Sequence, residues 1–181
     1  ITHHYHFRNG TGIMDLQVEQ VVTQLEQELR EQNSVSGVLD LLLAQLKGRA
    51  AGLWRCADGN LLQVGFRAVP EMDLQVQQDF AALTKEVSLE NKGLGIVKAV
   101  LERQPAIGTL SSTESGLPGS SEWLVKFGAQ QSYAIPVIED GEVTGVLAIS
   151  TDCIHQAGDA EWEIQTQIAN RIGEKKLLGM L

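Results

Sequence analysis

Basic residues are scarce in this chain: 14 Lys and Arg stand against 23 Asp and Glu, a formal net charge of −9 with an isoelectric point near 4.9. Affinity for phosphate backbones comes from clustered Lys and Arg, so this balance argues against a nucleic-acid partner. Cysteine is scarce as well. Cys56 and Cys153 are too few for a disulfide-built scaffold and form no C-x-x-C spacing, which fits a reducing cytoplasm and leaves both as core or near-surface thiols. Long apolar runs are missing: none approaches the roughly 18 residues that span a bilayer, and the first residues have neither the basic region nor the apolar core of a secretory signal. The expectation is a cytoplasmic protein with no membrane segment.

What is present fits one ordinary domain with helical extensions, since 181 residues at 43% hydrophobic content can bury a single core. Residues 1–13 read as a leader, with His3, His4, Tyr5 and His6 resembling an interrupted purification tag followed by a linker from Arg8 to Gly12. Residues 14–33 read as an N-terminal helix, 34–173 as the domain proper and 174–181 as the end of a C-terminal helix.

The chain is organised around the stretch Gln130 to Asp152, where two apolar runs flank Asp140-Gly141, a dipeptide that favours a tight hairpin. Alternation sends Tyr133, Ile135 and Val137 to one face, with Gly145, Leu147 and Ile149. Ser132, Ala134, Pro136 and Ile138 take the other, with Thr144, Val146, Ala148 and Ser150. The first face is bulky and packs under helices. The second is small around Ser132, Ala134, Ala148 and Ser150, which predicts the floor of a small-molecule pocket.

Elsewhere, Val18, Val22, Leu25 and Leu29 form an apolar helical seam that serves either to lie on the domain or to pair two copies as a homodimer. Val38 to Leu46 is a helix apolar on several sides, closed by Gly48. A second hairpin turns at Asp58-Gly59-Asn60, with Trp54 and Cys56 on one face and Leu62, Val64 and Phe66 sharing another. Pro70 to Leu89 reads as a polar helix buried through Phe80, Leu83 and Val87. Gly93-Leu94-Gly95 lacks a Walker lysine and a leading strand, so it sets a loop entering a short helix that ends before Pro105 and does not bind phosphate. Gly108 to Gly119 is rich in breakers and reads as a mobile lid over the pocket, with Thr109, Ser111 and Ser112 as candidates. Ser120 or Ser121 caps a helix from Glu122 to Phe127, and Asp159 caps the last helix, with Ile164, Ile168 and Ile172 on its stripe ahead of Gly173.

This order of elements, with Gly93 to Pro105 and the Ile135 to Ile149 hairpin as its most specific parts, resembles the GAF domain family of small-molecule sensors over about Ser34 to Ile172. The resemblance implies an α+β fold, a central antiparallel sheet flanked by helices as an α/β/α sandwich, with a ligand cavity under loops on one face. It also implies terminal helices that pair in a dimer and relay to a signalling output domain or partner protein. Trp123-Leu124-Val125-Lys126-Phe127-Gly128, Gly145 to Ser150, Cys153 and Glu161-Trp162-Glu163-Ile164 are similar to the phytochrome and cyanobacteriochrome branch. Those relatives hold a bilin through a Cys-His pair; Gly119-Ser120 stand at about that place here, and Ser150 stands where they carry a pocket histidine, so a covalent bilin is not expected. Asn91-Lys92 reproduces only a fragment of the cyclic-nucleotide pattern.

The ligand-facing candidates are Ser132, Ala134, Ala148 and Ser150 from the floor, Trp54 and Phe66 from neighbouring strands, Trp123 and Phe127 from the short helix, and Thr109 and Ser112 from the lid. Polar groups would orient a ligand and aromatics would stack on it. Three functional readings are weighed: a non-enzymatic sensory module relaying through a dimer, a ligand-free GAF domain that only dimerises or docks a partner, and, remotely, a free methionine sulfoxide reductase built on Cys56 and Cys153. No cofactor or metal is assigned; Cys153 with His155 would supply only two ligands, and His155 reads as an exposed loop residue.

Overall fold

The computed structural model describes residues 9–111, 113 and 116–181, without the side chains of residues 9–11. His3, His4, Tyr5, His6 and Ser112 therefore lie outside the described residues. Six strands form one sheet in the order β3-β2-β1-β6-β5-β4, with every neighbouring pair antiparallel. They are β1 (Gly48–Ala57), β2 (Asn60–Ala68), β3 (Glu86–Ser88), β4 (Ala106–Thr109), β5 (Gln131–Glu139) and β6 (Glu142–Thr151).

Both hairpins form where the acidic-glycine turns stand. Asp58 and Gly59 have φ of 50° and 81°, and Asp140 and Gly141 have 48° and 82°; two consecutive positive φ values define the turn whose twist matches paired strands. Pro136 is tolerated inside β5 because β4 reaches only as far as Ala134, so at Pro136 the strand has a neighbour on one side.

The sheet separates two apolar layers. On one face α1 (Asn9–Arg30), α2 (Ser36–Leu46) and α6 (Ala160–Glu174) cover Leu53, Tyr133, Ile135, Val137, Leu147 and Ile149. On the other, α3 (Leu74–Leu83), α4 (Gly95–Glu102) and α5 (Pro118–Phe127) cover Trp54, Leu61, Ala134 and Val146. The alternation expected of the central hairpin is therefore the division between the two cores.

Several expectations are corrected. Helix α1 begins at Asn9, inside the supposed leader. Its seam of Val18, Val22, Leu25 and Leu29 is at most 8% exposed, packed within the chain in the layer of α2 and α6, so these residues are not a free dimer face. Gly48 opens β1 and Lys47 takes the left-handed cap of α2, while Gly173 lies inside α6, where a β-carbon would sit 2.1 Å from Ile138 O. A bulge opposite Leu53 and Trp54 flips β2: Val64 packs with the α1–α2 layer and Phe66 with the opposite one, so they do not share a face. Helix α3 ends at Leu83, which is 58% exposed, and Val87 is buried from β3 instead. His155 is partly buried, its side chain 14% exposed and its main chain held by Gln131 through Gln131 Nε2 to His155 O at 3.0 Å and His155 N to Gln131 Oε1 at 2.7 Å.

Candidate functional site

A cavity of about 60 Å³ lies between the small face of the sheet and the layer of α3, α4 and α5. Its floor is made by residues that leave space: Ala50 and Gly52 of β1, Ser132 and Ala134 of β5, and Ala148 and Ser150 of β6, which pair across the ladder as Ser132 with Ser150, Ala134 with Ala148 and Gly52 with Ala148. Gly52 is required. Trp54 folds back over it, and a β-carbon there would meet the Trp54 ring at 2.3 Å. Trp54 is fixed further by its indole N–H, which donates to Thr84 O at 2.8 Å.

The walls are aromatic. Phe80 is their hub, with ring centroids 4.8 Å from Phe66 and 5.0 Å from both Trp123 and Phe127, and 6.4 Å from Trp54. Edge-to-face and tilted arrangements at these separations add roughly 0.5–1.5 kcal/mol per pair beyond area burial. Helix α3 delivers Phe80 but buries none of its residues fully. It is capped by Asp73, whose carboxylate accepts from Val76 N at 3.1 Å, and tied down by Gln63 Nε2, which donates to Ala81 O at 3.2 Å.

Leu94, Gly95 and Ile96 bring the N-terminus of α4 to the cavity. Its cap comes from another helix: Leu94 offers no side-chain oxygen, and Ser120 Oγ accepts from Gly95 N at 2.9 Å. Ser120 and Ser121 were expected to cap α5 itself. That helix instead starts at Pro118, whose fixed φ suits a first turn, so both serines fall inside it, and Ser121 Oγ donates to Thr109 O at 2.6 Å.

Of the ten candidate residues, Trp54, Phe66, Trp123, Phe127, Ser132, Ala134, Ala148 and Ser150 line the cavity. Thr109 does not; it ends strand β4, paired with Gln131, rather than forming a lid. Ser112 lies outside the described residues. Among the lining residues that sequence reasoning missed are Ala50, Gly52, Phe80, Leu94, Gly95, Ile96, Ser120 and Leu124; Phe80 and Leu124 carried a signal, the burial stripes of their helices.

Among the described residues, none that lines the cavity is an acid, a histidine, a lysine or an arginine. The Tyr133 side chain belongs to the opposite core, where burial and the nearby carboxylates of Glu161 and Asp159 push its phenol far up. The Ser132 and Ser150 hydroxyls make no side-chain hydrogen bond among the described residues, although Ser150 is only 7% exposed. Among the described residues no group of three or more His, Cys, Asp or Glu is placed to hold a metal.

A family model described as the GAF domain matches residues 32–174, most of the chain. The chain belongs to the GAF domain family. Solved structures agree in fold with this GAF domain. The GAF domain of an Acinetobacter phosphoenolpyruvate-protein phosphotransferase is similar with a TM-score of 0.65 at 9% identity, covering 92% of this chain and 93% of that one. The phycoerythrobilin-bound GAF domain of a cyanobacterial phytochrome gives 0.58 at 12%, covering 90% and 93%. The type II free methionine-R-sulfoxide reductase of Thermoplasma acidophilum gives 0.57 at 21%, covering 85% and 94%. No curated protein matches the chain in sequence. No helix among the described residues is long and apolar enough to cross a membrane.

Proposed function

We propose that this GAF domain is a cytoplasmic, non-enzymatic sensory or regulatory module that binds a small molecule in the aromatic-walled cavity and passes occupancy to its terminal helices, in a homodimer serving an output domain or partner protein. One observation carries the reading. The strands that floor the cavity on one face are gripped on the other by α6, where buried Gln165 Nε2 donates to Tyr133 O and Leu147 O, both at 3.1 Å. Helix α6 in turn runs parallel to α1, pinned by Arg171 to Glu19 at 2.7 Å and Lys175 to Glu26 at 2.6 Å. The dimer would use the exposed side of α1, which carries Leu16 at 72% exposure, since the apolar seam is occupied within the chain.

The thiols support a non-enzymatic role. Neither lines the cavity; burial pushes the Cys56 thiol up, and the hydrogen bond to Asp152 with its charge pushes Cys153 up, the reverse of what a nucleophilic thiol requires. Non-covalent binding is supported at Gly119, where a β-carbon would lie 2.9 Å from Gly93 O. The test is hydrogen exchange in α1 and α6, measured with and without a small-molecule cell extract, on the unmodified chain and on Ser132→Trp. A change in exchange that Ser132→Trp abolishes is expected; identical exchange in all samples overturns the relay.

The five-ring cluster favours a second reading, in which Phe80 and its neighbours fill the space and the domain only dimerises or docks a partner. Unchanged exchange together with an intact dimer is its signature.

A further inference from the structure

Among the described residues the cavity combines three features: aromatic walls, two serine hydroxyls that make no side-chain hydrogen bond on a floor of glycine and alanine, and no ionisable side chain directed into it. From these we propose that its ligand is an uncharged aromatic ring bearing one hydrogen-bonding group, admitted by displacement of the Phe80 side chain. This deepens the sensory reading and rests on it.

Charge decides the class. A carboxylate or ammonium brought here would lose water with no counter-ion among the described lining residues, and a charge buried without a partner is strongly disfavoured. Two cations beside the aromatic wall do not serve. Lys126 lies 4.2 Å from the Trp123 ring centroid but keeps its side chain 43% exposed, and Arg49 Nε is engaged by Phe127 O at 3.0 Å. The N-terminus of α4 offers about half a positive charge at most, and its Gly95 N–H is already taken by Ser120. These donors suit a hydroxyl or carbonyl oxygen and fall short of neutralising an anion.

Shape decides the rest. An apolar cavity of about 150 Å³ holds benzene, so 60 Å³ is too little for a ring while Phe80 is in place. Phe80 is itself a ring packed among Phe66, Trp123 and Phe127, so it occupies a site already formed for an aromatic guest. Its helix buries none of its residues fully, so α3 is the weakest part of the roof. Once Phe80 swings out, a guest ring meets the same aromatic neighbours in a cavity whose floor also carries Ser132 and Ser150.

The test titrates the full chain with phenol, sodium benzoate and toluene, followed by amide shifts of the cavity residues in two-dimensional NMR. Phenol is expected to bind, with benzoate at least tenfold weaker although it carries the same ring. Phe80→Ala tightens phenol at least tenfold, and Ser150→Ala weakens phenol severalfold while leaving toluene unchanged. Benzoate binding as tightly as phenol overturns the uncharged class while leaving a sensory module standing. Absence of phenol binding in both the unmodified chain and Phe80→Ala overturns the aromatic class; if Phe80→Ala does not fold, Phe80→Leu takes its place. If, in addition, nothing from a cell extract is retained, the sensory reading falls with it.

Discussion

Gln165 donates its side-chain amide to Tyr133 O at 3.1 Å from a position of no solvent exposure, and shares that amide with Leu147 O. A helix thereby holds two central strands at residues adjoining the cavity floor, since Ser132 and Ala134 flank Tyr133 and Ala148 follows Leu147. The Gln165 carbonyl oxygen has no partner among the described residues. Replacing the whole amide by an apolar group of similar shape therefore removes an unmet acceptor together with the donor.

Gln165→Leu is expected to change stability by less than about 1 kcal/mol, because it trades two hydrogen bonds for relief of one orphaned oxygen. Gln165→Glu places a carboxylate against two carbonyls and should lose about 3 kcal/mol or more. Thermal denaturation of both variants checks the contrast, and equal melting temperatures would contradict the assignment.

Leu25→Asp tests the role of the α1 seam. Leu25 is 2% exposed inside the chain, so the substitution should destabilise the fold by about 3 kcal/mol or more rather than merely separate two folded copies. Denaturant unfolding read beside light scattering distinguishes these: folded monomers of unchanged stability would restore the seam to a dimer interface.

Tyr133, its ring stacked on Trp162 at 5.1 Å, carries a buried hydroxyl with no partner among the described residues. Tyr133→Phe should be neutral or stabilising by up to about 1 kcal/mol. The folded pKa is raised above the ordinary 10.0, so the associated stability is full below that pH and declines as pH rises beyond it, when the unfolded chain ionises first. Denaturant titrations between pH 8 and about pH 11 should show that decline in the native chain and lose it in Tyr133→Phe.

Glu19 is held below the ordinary 4.5 by the Arg171 guanidinium, chiefly through their hydrogen bond. A depressed carboxylate contributes above its unfolded value, and the contribution fades as pH falls through the folded one. Both side chains are about a third exposed or more, so Arg171→Ala, which also removes the pair with Glu174, should cost under about 1 kcal/mol near neutral pH, less in high salt, and less again once Glu19 is protonated. A loss unaffected by salt would contradict this.

The central hairpin was legible because a period of two and two acidic-glycine turns act within a few residues; the same pattern divided Tyr133, Ile135 and Val137 from Ser132 and Ala134, and so located the cavity floor. Phe66 was misread in its relation to Val64 because a bulge changes parity, and the pairing that creates it depends on β1 across the sheet. Leu83 and Val87 carried a helical spacing that β2 overrode by drawing residues 86–88 into a third strand. Ser120 looked like a cap for its own helix and caps α4, 25 residues away in sequence, a relation set by tertiary packing. Thr109 sat in a breaker-rich stretch, yet pairing with β5 makes it strand.

The most direct test of a sensory cavity is native mass spectrometry of the chain after incubation with a small-molecule cell extract, run beside Ser132→Trp, whose indole fills the floor. One retained small mass per chain, absent from Ser132→Trp, is the predicted result. The bare chain mass in both samples would contradict a ligand-binding GAF domain and leave the aromatic cluster as the permanent filling of its own cavity.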